Sequence, residues 1–166
     1  MRWQSGQDRI VELIAEGQLE RNDADLDDAR ARLANSEEHL ARLKAANATD
    51  IDARFRLAFS AMATSAVALL AAQGLHQTTT GGLAAVQRAV NAQFSGGPVP
   101  GVFETLTAIS VAPADRTGDR AVTDVRPVEE QASTAAEAAG WAVAYTARLL
   151  GAGLLHAFTD DEALNR

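Results

Sequence analysis

The chain of 166 residues has no cysteine. Disulfide scaffolds, thiolate zinc sites, iron–sulfur clusters and thiol catalysis are excluded on that ground alone. Lysine is nearly missing too: Lys44 is the only one, and every other basic residue is an arginine. Basic residues are outnumbered, leaving a net charge of -7. Non-specific nucleic-acid binding needs a surplus of Lys and Arg, so the balance weighs against RNA as a partner. Histidine occurs three times, at 39, 76 and 156. These positions share no ligand spacing, so neither a metal site nor another cofactor is expected. Long hydrophobic runs are limited to one stretch, Leu57 to Leu75, which carries no formally charged residue and is mostly Ala, Ser and Thr with a few Leu. It reads as a buried central helix and not as a membrane span. No apolar stretch follows Met1-Arg2-Trp3-Gln4-Ser5-Gly6, so no secretory leader is read there and a cytoplasmic protein is the default.

What is abundant is alanine, the best helix former because it loses no side-chain entropy. Apolar residues recur at helical spacing. Ile10, Val11, Leu13 and Ile14 mark a first helix over about Gln7 to Glu16, with Gly17 as its stop. Asn22 or Asp23 can cap a second helix running to about Ala46, where Leu26, Leu33 and Leu40 stand seven apart with Ala29, Ser36 and Leu43 between them. Thr49 or Asp50 can cap a third, from about Ile51 to Gln73 with Gly74 as its stop. A polar turn, Leu75 to Gly82, leads to a fourth helix over about Leu83 to Phe94. Glycine and proline then break the chain at 95–101, a short helix is expected over 102–110, and 112–127 reads as a long loop. The last helix is expected from about Val128 to Phe158, with an alanine-lined stripe (Val128, Ala132, Ala135, Ala139, Ala142, Thr146, Leu149 and Gly153) suited to close packing along the third. No strand-like alternation stands out. The expected fold is all-α, an antiparallel bundle of four main helices with one or two short ones inserted, formed by residues 1–158 and followed by a polar tail at 159–166.

The segment Ala68-Leu69-Leu70-Ala71-Ala72-Gln73-Gly74-Leu75, followed by a Thr-rich turn and by Gly81-Gly82 opening the next helix, resembles bacterial HEPN-domain proteins of an actinobacterial type. The order of helices over about Ile10 to Leu150 is similar to that family as well. The resemblance implies a helical, dimerising protein linked to toxin–antitoxin systems. Many family members are metal-independent ribonucleases that use an Arg and a nearby following His. The Arg would stabilise phosphate charge, and the His would act as general acid or base. Here Arg116 or Arg120 could stand at the Arg position, but no His follows either one. Leu83 occupies the place of the family's His after the Gly-Gly pair, and His76 lies near the basic position of the turn.

A non-catalytic, HEPN-like protein that binds a protein partner or a second copy of itself is therefore the leading expectation. Its contact would be the Leu26/Leu33/Leu40 seam or the last helix. One alternative is a ribonuclease with a displaced site, in which His76 meets Arg116 or Arg120. Another is a domain that binds a small anionic ligand at Thr80, Gly81 and Gly82, where backbone N–H groups and the helix dipole converge. The plainer reading of that turn is a cap whose glycines supply φ > 0. For Arg116 and Arg120 it is ion pairing within a loop that also holds Asp115, Asp119 and Asp124.

Overall fold

A computed structural model describes residues 6–94 and 129–158. The order is α1 (Gln7–Ala15), β1 (Leu19–Arg21), α2 (Leu26–Ala45), α3 (Ile51–Ala71), β2 (Leu75–Gln77), α4 (Gly82–Phe94) and α5 (Glu129–Gly151). Among the described residues the fold is all-α apart from one two-stranded ribbon. The short helix expected over 102–110, the loop at 112–127, Arg116, Arg120 and the tail at 159–166 lie outside the described residues.

Local chemistry sets the helix ends. Asp25, and not Asn22 or Asp23, caps α2: its carboxylate accepts from the N–H groups of Asp27 (3.0 Å) and Asp28 (2.8 Å). Residues 22–24 are instead drawn toward α3, where Asn22 N–H donates to Gly74 O and Asp25 N–H to Ala71 O. Asp50 caps α3 by accepting from Ala53 N–H at 3.0 Å. Gly17 closes α1 with a φ of 67°, its N–H on Ile14 O and the next N–H on Leu13 O, the paired reverse bonds of a Schellman motif. Gly153, with a φ of 62°, does the same for α5. The last helix therefore ends seven residues before Phe158, which the periodicity had carried inside it. Beyond Gly153 the chain turns back, and Phe158, almost fully buried, donates its N–H to Gln73 O at 2.9 Å.

The ribbon is the element that sequence reading omits. Leu19 pairs with Gln77, Glu20 with His76 and Arg21 with Leu75, antiparallel. Three residues per strand are too few for an alternation to register. Leu19 and Leu75 are buried while Glu20 and Gln77 are exposed, so the ribbon is half in the core.

Helices α2, α3 and α5 pack on one another, and α4 packs against α3, α1 and β2. α3 is the centre, with Ala58, Ala61, Met62, Ala66, Leu69 and Leu70 all fully or nearly fully buried. It is also the one described helix long and apolar enough to cross a membrane; in this fold its apolar surface meets α2, α4 and α5. The heptad seam of α2 sits one register away from the leucines. Ala29, Ser36 and Leu43 are its buried residues, whereas Leu33 and Leu40 are half-buried flanks and Leu26 is exposed. Small residues at the crossing bring the α2 and α3 backbones close together, and two hydroxyls complete it. Ser36 Oγ donates to Ala61 O at 2.6 Å, so its single proton is used and the 2.6 Å contact with Ser65 Oγ must be donated by Ser65. Ser36→Ala is expected to cost about 1 kcal/mol, because it strips a partner from two buried groups. Ser65→Ala is expected to cost less, since Ser36 keeps its bond to Ala61 O. Urea denaturation of both variants tests this order, and equal costs would contradict the proton assignment.

Candidate functional site

α5 carries two stripes of small residues. Ala132, Ala135, Ala139, Ala142 and Thr146 are buried, in the helix that packs along α3. The second stripe, Ala136, Gly140, Ala144 and Ala147, lies on the side of α5 toward α2. No large side chain of this stripe fills the space between the helices, and a groove remains. Its upper part is a cleft of 570 Å³ with Leu40 and Leu43 from α2, Ala46 and Ala48 from the turn after it, and Ala136 and Gly140 from α5. A second hollow of 440 Å³ shares Leu40, Lys44 and Gly140 with the first and continues along Val143, Ala144 and Ala147.

The rim is chemically distinct from this apolar floor. Trp141 stands on it 60% exposed, the most exposed of the large hydrophobic side chains among the described residues. Lys44 and Arg54 bring positive charge, and Glu137 brings negative charge. Lys44 and Glu137 enter no ion pair among the described residues, and the only side-chain bond of Arg54 there is to Ala48 O at 3.3 Å. By contrast, the other acid–base pairs of the helices are satisfied locally: Arg32 with Asp28 at 2.7 Å, Arg30 with Asp27 at 3.3 Å, Arg42 with Glu38 and Arg9 with Glu12. An exposed indole beside an apolar hollow, ringed by unpaired charges of both signs, has the composition of a recognition surface. No family model matches the chain, and no curated protein or solved structure matches it.

The residues singled out from sequence sit elsewhere. His76 is the middle residue of β2, half-buried and opposite Glu20. Thr80 is exposed in the turn before α4, Gly81 is buried, and Gly82 has a φ of 51°. That turn is stitched to the end of α1. Thr78 Oγ1 donates to Gly17 O at 2.7 Å and accepts from Gly81 N–H at 3.1 Å, while Gly82 N–H donates to Thr78 O at 2.9 Å. Two of the N–H groups that would hold an anion are therefore already engaged by Thr78. A Cβ on Gly81 would lie 2.0 Å from Gln18 O, so glycine there permits a close approach of two backbones. Arg88, the one formal charge between Leu57 and Phe103, bonds Gln18 Oε1 and Ala84 O and reinforces the same junction. His39 is half-buried on α2, its Nδ1 enclosed without a hydrogen-bond partner, and His156 is exposed beyond the end of α5 instead of within it. No group of three or more His, Asp or Glu side chains able to hold a metal ion occurs among the described residues.

Sequence reading missed Trp141, Arg54 and Glu137 and noted Lys44 only for its rarity. One signal was present: Gly140 in the interior of a helix, where glycine costs roughly 0.5–1 kcal/mol relative to alanine, placed directly before the chain's second tryptophan. A Cβ on Gly140 would meet nothing within 4 Å, so packing within the chain does not account for that glycine.

Proposed function

We propose that the chain is a non-catalytic, HEPN-like binding protein whose recognition surface is the groove between α2 and α5. The exposed Trp141 over an apolar cleft with unpaired Lys44, Arg54 and Glu137 carries this reading. On the catalytic side the reading rests on the sequence, in which no nearby His follows Arg116 or Arg120. HEPN-like kinship rests on the helix order and on the Gly81-Gly82 turn. The same reading moves the contact surface. Of the seam, Leu33 and Leu40 are half-buried against the core and Leu40 borders the groove itself, while the buried alanine stripe of α5 faces inward; the face offered to a partner is then the adjoining stripe with Trp141. The test is incubation of single-stranded RNA with the purified protein and with His76→Ala. Neither is expected to cleave above buffer, and cleavage by the wild type that His76→Ala abolishes would overturn the proposal.

A further inference from the structure

We propose that the α2–α5 groove is a binding site for a small organic anion, a carboxylate carried on an apolar aromatic or alkyl body. The proposal rests on the groove being the recognition surface and names the class of ligand it takes. Small-molecule sites are clefts of about 300–1,000 Å³, mostly apolar, with a few polar groups that fix orientation. The 570 Å³ cleft has that size and make-up: Leu40, Leu43, Ala136 and Gly140 beside one exposed indole and three charged side chains.

Charge sets the sign of the ligand. Acids outnumber bases 22 to 15 in the chain, yet this cleft is lined by two bases, Lys44 and Arg54, against one acid, Glu137. Ion pairs on a helix form between residues three or four apart. Lys44 has only Leu40, Ala41, Asn47 and Ala48 at those distances, so its own segment holds no acid to neutralise it. Arg54 has Asp50, but that carboxylate accepts from Ala53 N–H as the cap of α3, and the guanidinium turns instead to Ala48 O. Its other donors are unused among the described residues. Arg54 is half-buried, so water screens its charge less than that of an exposed side chain. The free edge of its planar fork matches the two oxygens of a carboxylate. The second hollow adds Glu37 and no further base, so the positive end of the groove is at the α2–α3 turn. The head group belongs there. The body then lies along Gly140, Val143 and Ala144, where small side chains leave room, with Trp141 as a flat apolar wall at the cleft. Glu137 is the one cleft residue that opposes an anion, and it gives the proposal its signature.

Isothermal titration calorimetry of the whole chain with 2-naphthoate, decanoate and the neutral 2-naphthamide tests the proposal. One carboxylate per chain is expected to bind, with 2-naphthoate or decanoate at least about tenfold tighter than 2-naphthamide. The tighter of the two carboxylates tells an aromatic body from an alkyl one. Arg54→Gln is expected to weaken that carboxylate about tenfold and Lys44→Gln several-fold. Trp141→Ala is expected to weaken it while keeping the preference for carboxylate over amide. Glu137→Gln is expected to tighten it, because a like charge is removed. Far-UV circular dichroism checks the fold of each variant, and Lys44→Gln, at an exposed position, keeps the test open should Arg54→Gln misfold. No carboxylate bound at millimolar concentration overturns the proposal and leaves the groove to a macromolecular partner. Amide and carboxylate bound alike, or binding indifferent to both base substitutions, overturns it as mere apolar association. Weakening by Glu137→Gln overturns it in favour of a ligand carrying positive charge. Each of these results leaves the RNA assay to decide the broader reading.

Discussion

Gly74→Ala is expected to lower stability by about 3 kcal/mol. Two costs coincide at this position. Its φ is 72°, in the left-handed region, where an L side chain costs about 1–2 kcal/mol. The added Cβ would also lie 2.4 Å from Asn22 O and 3.0 Å from Ala24 N, both backbone atoms. Neither can rotate away. Asn22 N–H is bonded to Gly74 O at 2.8 Å, so the two strands must separate, and such forced displacement costs about 1–3 kcal/mol. For a chain of this size the sum corresponds to a fall of roughly 6–12 °C in Tm. Gly17→Ala is the control. Its φ is 67°, but a Cβ there would meet nothing within 4 Å, so only the left-handed cost of about 1 kcal/mol applies. Thermal unfolding of both variants separates the two contributions, and equal losses would show that the contact with Asn22 is easily relieved.

Leu69→Ala is expected to cost about 2–5 kcal/mol, the range for emptying a well-packed leucine site. Leu69 is fully buried on α3, within the core cluster that all five helices supply. Leu26→Ala is expected to stay within about 0.5 kcal/mol, since that side chain is 46% exposed. Guanidinium unfolding of the two variants checks the contrast. A Leu26 loss comparable with that of Leu69 would mean that the leucine register of α2, and not the Ala29/Ser36/Leu43 register, faces a partner surface.

That contrast marks where sequence reading succeeds and where it stops. Composition and the 3.6-residue period identify the helices and the burial of α3, because a run without charge has no other stable place in a helical fold. Glycine stops at 17 and 74 and the cap at Asp50 follow from backbone chemistry that needs no tertiary knowledge. The α2 seam does not. Leu26, Leu33 and Leu40 are the larger hydrophobes, yet small residues win the interface because they allow closer helix approach. Asn22 and Asp23 are good caps in isolation, but the bonds of Asn22 N–H to Gly74 O and of Asp25 N–H to Ala71 O hold that stretch against the end of α3, and the cap passes to Asp25. The alanine period of α5 continues past the point where Gly153 turns the chain, since alanine signals helix without signalling its end. At the groove the difficulty is of another kind. Trp141, Glu137, Lys44 and Arg54 belong to two helices and a turn far apart in sequence, and only packing reveals that they border one cleft. Arg116 and Arg120, the other half of the displaced-site alternative, lie outside the described residues.

The β1–β2 ribbon has a consequence for the order in which the molecule assembles. It joins residues 19–21 to 75–77 and so closes a loop of about fifty residues, an entropic cost that local helix pairing does not carry. α2 and α3, the helices inside that loop, are connected by a short turn and can meet early through their Ala and Ser crossing. The ribbon then acts as a clasp. It fastens α1 and the start of α4 onto a helical hairpin already made, and Gly74 sits at its catch.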